Sequence, residues 1–285
     1  MIGLVGAGFM GSGLGVALMR GGGHVTTTLD GRSARTRRFV ADAGLDVQPD
    51  LAAVVAGADV VLIVTPPAAA LDAARDVTEA ALATGARPIV VDLNAIAPST
   101  VRASETILAE AGLDLVDGSI SGPPPTVRPG ARIFLSGTRA PEVAALPWRD
   151  VRPLIVTGGV GQASAVKMCT ASVYKGVTAI VAQALRAADA FGVLDDVVTE
   201  LGDDYANPVA LASAAAKADR YVAEMREIAV AQREAGLTAE LFDAFAAVYA
   251  DVAATPLARA DAETVASTTG ARPVAHVIAD LRHAG

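Results

Sequence analysis

Within its first thirteen residues, MIGLVGAGFMGSG, the chain places five glycines directly behind a short apolar run. Gly6, Gly8 and Gly11 stand at G-x-G-x-x-G spacing. That spacing constrains the fold because each glycine answers a different steric demand. The first permits a tight turn out of a strand, the second lets a bulky anion approach the backbone, and the third lets the following helix pack closely on the strand. The N–H groups at the start of such a helix, together with its dipole, favour a phosphate. An acid, Asp30, follows Gly11 by nineteen residues, where a strand–helix–strand unit ends on a carboxylate. The segment therefore predicts a dinucleotide site. Gly6, Gly8, Phe9, Met10 and Gly11 wrap the pyrophosphate, and Asp30 lies near the adenosine ribose. The plain alternative is a glycine-rich turn with no ligand.

The residues after Asp30 bear on which dinucleotide binds. Asp30 suits a ribose 2′-hydroxyl and so NAD. The run GRSARTRR follows at once, and Arg32 with Ser33 suits a 2′-phosphate. We expect NADP on these two residues, with NAD as the alternative, and read Arg37 and Arg38 as a solvated helix face.

The rest of the first half alternates β-branched runs with helical stretches. HVTTTLD, ADVVLIVTPP, RPIVVDLNAIAP, LDLVDGSISGPPP, ARIFLSG and PLIVTGG read as further strands. Helices are expected near 33–43 and 68–83. Alternation of this kind predicts parallel β-α-β units in a doubly wound Rossmann sheet. The continuous apolar runs Val60 to Val64 and Ile89 to Val91 suit central strands covered on both faces. Beyond Gly161 the pattern turns helical and alanine-rich. We expect an α/β dinucleotide-binding domain over residues 1–157 and an all-α domain over 158–285, the latter serving substrate binding and homodimer formation.

Composition narrows the partners. A net charge of −8 excludes a basic nucleic-acid surface or a polybasic membrane patch. No apolar run reaches the ~18 residues of a membrane span. With one cysteine, Cys169, and no leader-like segment before the first strand, a cytoplasmic protein is expected. Cys169 reads as a core residue. His24, His276 and His283 share no metal-ligand spacing, so no metal is expected.

The ordered motifs GLVGAGFMGSG, VTPP, DLNAIAP, DGSISGPPP and GQASAVKMCTASVYKG together resemble the β-hydroxyacid dehydrogenases, which include 3-hydroxyisobutyrate and 6-phosphogluconate dehydrogenases. The resemblance covers the first half and the first helix beyond it; the C-terminal part looks like that of a divergent subgroup. It implies that Lys167 is the catalytic general acid/base, a role lysine fills when burial or nearby positive charge brings it toward neutrality. It implies cofactor contacts at Thr65, Pro66 and Asn94, and a substrate loop at Ser121, Gly122 and Pro123. Two departures stand out. Ala171 occupies the position where the family has an asparagine, and Pro123, which lacks an N–H, replaces a glycine. Both suggest a less polar substrate pocket. Ala171 and Tyr174 share a helix face with Lys167; Tyr174 reads either as a substrate hydroxyl or as a buried structural residue. Lys175 reads as a surface or interface lysine, and Arg226 as a solvated one.

The function expected is an NADP-dependent oxidoreductase, moving hydride between nicotinamide and an alcohol or carbonyl carbon of a small substrate at a site between the two domains. Imine reduction on a similar fold and a non-catalytic dinucleotide sensor are the alternatives.

Overall fold

The computed structural model describes residues 1–270 and 272–282; His283 lies outside them. The chain begins with β1 (Ile2–Val5), α1 (Phe9–Arg20), β2 (Val25–Thr28), α2 (Ala34–Ala43), β3 (Asp46–Gln48), α3 (Leu51–Gly57) and β4 (Val60–Ile63). It continues with α4 (Ala70–Thr84), β5 (Ile89–Asp92), α5 (Pro98–Ala109), β6 (Leu115–Ser121), β7 (Ala131–Ser136), α6 (Ala140–Ala144), β8 (Val151–Ile155) and the long helix α7 (Gln162–Phe191). Helices α8 (Leu194–Tyr205), α9 (Pro208–Ala215), α10 (Ala218–Glu234) and α11 (Glu240–Ala253) follow, with shorter helical segments after them. The fold is an N-terminal Rossmann-type sheet with helices and a helical C-terminal region.

The strands form one sheet in the order β3-β2-β1-β4-β5-β6-β7-β8. The chain reverses direction across the sheet between β1 and β4, the switch point at which ligands bind in open α/β sheets. All pairings are parallel except β6 with β7, which is antiparallel. Every residue of β1, β4 and β5 is buried, because helices cover both faces. Alternate side chains feed two cores. Leu4, Leu62 and Val91 pack with Leu14 and Leu18 of α1 on one face. Val5, Val61, Ile63 and Val90 pack with Val55, Ala74, Val77, Val101 and Leu108 on the other. Each such side chain, fully buried, contributes about 1.5–3 kcal/mol.

Contacts divide the chain into two compact units, Met1–Met168 and Cys169–Gly285. Lys167 therefore belongs, by its contacts, with the glycine turn. In the second unit α10 and α11 pack together, and Tyr249 of α11 makes an edge contact with Tyr221 of α10 at 5.2 Å between ring centroids. No described helix is long and apolar enough to cross a membrane.

Two expectations need correction here. Cys169 is exposed, so it is not a core residue. Lys175 is not a surface lysine: it is ion-paired with Glu224, the two side chains being 13% and 7% exposed, and its ammonium lies 4.7 Å from the Tyr221 ring centre. Burial, with a smaller contribution from Tyr221, raises the Tyr249 phenol well above its ordinary pKa. It stays protonated and donates to the Lys175 carbonyl at 2.8 Å.

Candidate active site

The glycine turn has the shape its spacing predicts. Gly6 takes φ +89°, and a β-carbon there would lie 2.3 Å from the Val64 carbonyl oxygen. A β-carbon on Gly11 would lie 2.2 Å from the Gly6 carbonyl oxygen. These two glycines let β1, β4 and α1 come together. Gly8 differs: a β-carbon there would meet no protein atom within 4 Å. It caps α1 with no side-chain hydrogen bond. A helix N-terminus without a side-chain acceptor, facing open space at the switch point, fits a pyrophosphate.

Around this turn the strand ends are tied together. Asn94, 3% exposed, accepts from the Thr65 backbone N–H at 2.6 Å and the Thr65 hydroxyl at 3.3 Å. Its amide donates to Asp92 at 3.2 Å. Asn94 thus holds the Thr65–Pro66 turn beside the glycine loop. At the β2 end, Asp30 and Arg32 are exposed, and Ser33 caps α2 by accepting from the Thr36 N–H at 3.2 Å. Arg37 is not merely solvated: it donates to the carbonyls of Leu29 at 2.8 Å and Arg32 at 3.2 Å, bracing this loop. The Arg38 guanidinium lies 5.4 Å from the Phe39 ring centre.

The second cluster lies along β6. Asp117, fully buried, accepts from the Ser136 hydroxyl at 3.0 Å, the Gly161 N–H at 2.9 Å, and the Ser164 N–H and hydroxyl at 3.0 and 2.6 Å. Ser136 also accepts from the Ala163 N–H at 3.0 Å, and Ser119 donates to the Ala163 carbonyl at 2.9 Å. The first turn of α7 is thereby pinned to β6 and β7, its N–H groups satisfied by an acid and a hydroxyl. One turn on, the half-buried Lys167 donates from Nζ to the Ile120 carbonyl at 2.7 Å. Asp117, Ser119 and Ile120 meet α7 in sequence, so the helix advances along β6 toward Ser121.

Beyond Ser121 the loop crosses to α1. Gly122 takes φ +118°, and a β-carbon there would lie 3.3 Å from the Ala131 α-carbon. Pro124 and Pro125 are buried, and a β-carbon on Gly13 of α1 would lie 2.9 Å from Pro124. From Ile120 to Pro124 is four residues, at most about 14 Å of chain. The loop thus links the end of β6, where Lys167 reaches, to the helix that follows the glycine turn.

Ser121 also meets Arg132, whose Nη2 donates to its hydroxyl at 3.2 Å. Elsewhere, Ala171 is 5% exposed, while Tyr174 is 71% exposed and so is not a buried structural tyrosine. Arg226 is exposed, as expected. The sequence reading missed Asp117, Ser136, Ser164 and Arg132. Only Asp117, the lone acid in the strand LVDGSIS, left a readable signal.

The glycine turn, the strand order and the switch-point position define a dinucleotide-binding α/β protein with a lysine on the first helix of its C-terminal half. The family model for the NAD-binding domain of 6-phosphogluconate dehydrogenase matches residues 1–147. The chain belongs to that family. A second family, described as a domain of unknown function (DUF1932), matches residues 188–252. The chain is similar to an uncharacterised 28.5 kDa protein of Methanothermus fervidus, 25% identical over 175 residues, covering 61% of this chain and 66% of that protein. Among solved structures, it is similar to a conserved protein of unknown function described as resembling 3-hydroxyacid dehydrogenases. That pair shares 28% identity with a TM-score of 0.64, covering 88% of this chain and 97% of the other. The Mycobacterium tuberculosis 3-hydroxyisobutyrate dehydrogenase shares the fold, at 22% identity and a TM-score of 0.66 over 95% of this chain and 99% of its own.

Two outcomes follow from this geometry. Gly8→Ala leaves thermal stability within about 1 kcal/mol of wild type, since its β-carbon meets no protein atom. It weakens binding of a reduced nicotinamide dinucleotide at least tenfold in a fluorescence titration, because the added methyl group enters the open space at the start of α1. Asp117→Asn puts an N–H among four donors and destabilises the protein by about 2–4 kcal/mol in urea unfolding.

Proposed function

We propose that the chain is an NADP-dependent oxidoreductase of the β-hydroxyacid dehydrogenase type, acting on a small alcohol or carbonyl substrate, with Lys167 as general acid/base. The observation that carries this reading is the Lys167 ammonium directed at the Ile120 carbonyl, beside Ser121. Membership of the 6-phosphogluconate dehydrogenase NAD-binding family supports the dinucleotide, and the relative described as similar to 3-hydroxyacid dehydrogenases supports the substrate type.

When bound, nicotinamide supplies or accepts the hydride. The backbone around Gly8 and the start of α1 hold the pyrophosphate. The Thr65–Pro66 turn, fixed by Asn94, borders the path to the nicotinamide end. Arg32 is exposed beside the α2 N-terminus, which suits a 2′-phosphate and favours NADP. Ser121 and the Gly122 backbone orient the substrate. In the oxidative direction Lys167, as the free amine, takes the proton from the substrate hydroxyl as hydride leaves carbon; in reduction its ammonium returns that proton to the carbonyl oxygen. The Ile120 carbonyl accepts from the amine's other N–H bonds and aims it.

We also read a homodimer through the C-terminal helices. Val173, Tyr174, Val177 and Ile180 stand exposed on α7 at helical spacing, 61%, 71%, 41% and 56% respectively. A second copy would cover such an apolar stripe.

The test is steady-state turnover of a panel of small hydroxy acids, aldehydes, ketones and cyclic imines with NADPH and NADH. We expect turnover of oxygen substrates with a lower KM for NADPH than for NADH. Lys167→Ala then lowers kcat by about 10²–10⁴-fold and leaves NADPH affinity unchanged. Imine turnover that survives Lys167→Ala favours an imine reductase; tight NADPH binding with no turnover favours a sensor.

A further inference from the structure

Ser121, Arg132 and Arg152 form a row across the far end of the sheet. Ser121 pairs with Arg132 in the antiparallel β6–β7 register, and Arg132 pairs with Arg152 in the parallel β7–β8 register. Residues paired directly across strands project from the same face. That face is the one α7 covers. Asp117 and Ser119, which lie four and two residues before Ser121 on β6, make the bonds to the first turn of α7.

Two arginines therefore stand side by side, next to the strand end that Lys167 reaches. Like charges directly opposite across a sheet destabilise it. Both side chains are exposed, and no ion pair to an acid is found for either among the described residues. Arg132 instead donates to the Ser121 hydroxyl, and its guanidinium lies 5.8 Å from the Phe134 ring centre. The guanidinium lies within cation–π range of that ring, and the Ser121 bond uses one of its five N–H groups. The neighbouring loop has lost an anion donor, because Pro123 carries no N–H.

We propose that Arg132, with Arg152 beside it, binds an oxyanion on the substrate, a carboxylate or a phosphate, and so sets the enzyme's specificity for negatively charged substrates. The inference rests on the oxidoreductase reading above for the reaction, and adds to it the residue that selects the substrate class. Two planar guanidinium forks match the lone pairs of an oxyanion bidentately. The Ser121 hydroxyl, which accepts from Arg132, keeps its own proton to donate to the same anion. The pocket is then cationic rather than apolar: the donor missing from the proline loop is replaced from β7.

The experiment compares small hydroxy carboxylates and hydroxyalkyl phosphates with the neutral methyl ester of each carboxylate, using NADP+ and the wild-type, Arg132→Ala, Arg132→Lys and Arg152→Ala proteins. The expected result is a lower KM for the charged substrates. Arg132→Ala raises that KM about 10- to 100-fold, changes kcat less than threefold and leaves the ester's KM unchanged. Arg132→Lys, which keeps charge but loses the fork, falls between, and Arg152→Ala has the smaller effect. The carboxylate and phosphate arms identify which anion is preferred. Equal KM values for acid and ester, or a preference retained in Arg132→Ala, overturn the proposal and leave the oxidoreductase reading intact. If nothing turns over, that reading fails on this panel and calorimetry decides the arginine question separately. Binding of succinate or glycerol phosphate to NADP+-saturated protein, lost in Arg132→Ala with NADP+ affinity unchanged, upholds the anion site. No binding, or binding unchanged in the variant, overturns it.

Discussion

A buried carboxylate at the start of one helix is the interaction on which the candidate site depends. A helix leaves four N–H groups without partners at its N-terminus, and in a buried position each would be costly. Asp117 answers two of them directly, at Gly161 and Ser164, while Ser136 answers Ala163. Ser136 is itself bonded to Asp117, so the acid organises the whole junction. The result is a fixed starting point for a thirty-residue helix against β6. Lys167, in the second turn of α7, meets the Ile120 carbonyl from that fixed start.

The cofactor side of the site is built on steric exclusion. Gly6 and Gly11 are required by close backbone approach, whereas a β-carbon on Gly8 would meet no protein atom. The two sides are joined by the proline loop, whose buried Pro124 sits against Gly13 of α1. A larger residue at position 13 would lift the loop and with it the Ser121 end of β6. Asn94 does the corresponding work for the β4 turn, spending both ends of its amide on Thr65 and Asp92.

Much of this was readable in the sequence, for physical reasons that also explain the gaps. The apolar runs VVLI and IVVD announce central strands because both of their faces are buried. The glycine spacing announces its own turn, since no other residue tolerates those contacts. Strand β3 left no signal: it is three residues long, at the sheet edge, and largely exposed. Cys169 and Lys175 were misread because a helical period fixes angular position but not which face meets a neighbour. The arginine row was invisible because Ser121, Arg132 and Arg152 are far apart in sequence and brought together only by strand register.

The account turns on where the Lys167 ammonium lies relative to the ring that exchanges hydride. The most direct measurement is a crystal structure of the protein with NADP+ bound. The account predicts a pyrophosphate over Gly8 at the start of α1, and the Lys167 Nζ turned toward the nicotinamide from its place at the end of β6. A dinucleotide seated away from the glycine turn, or a Lys167 side chain pointing into bulk solvent with the nicotinamide out of reach, would contradict it.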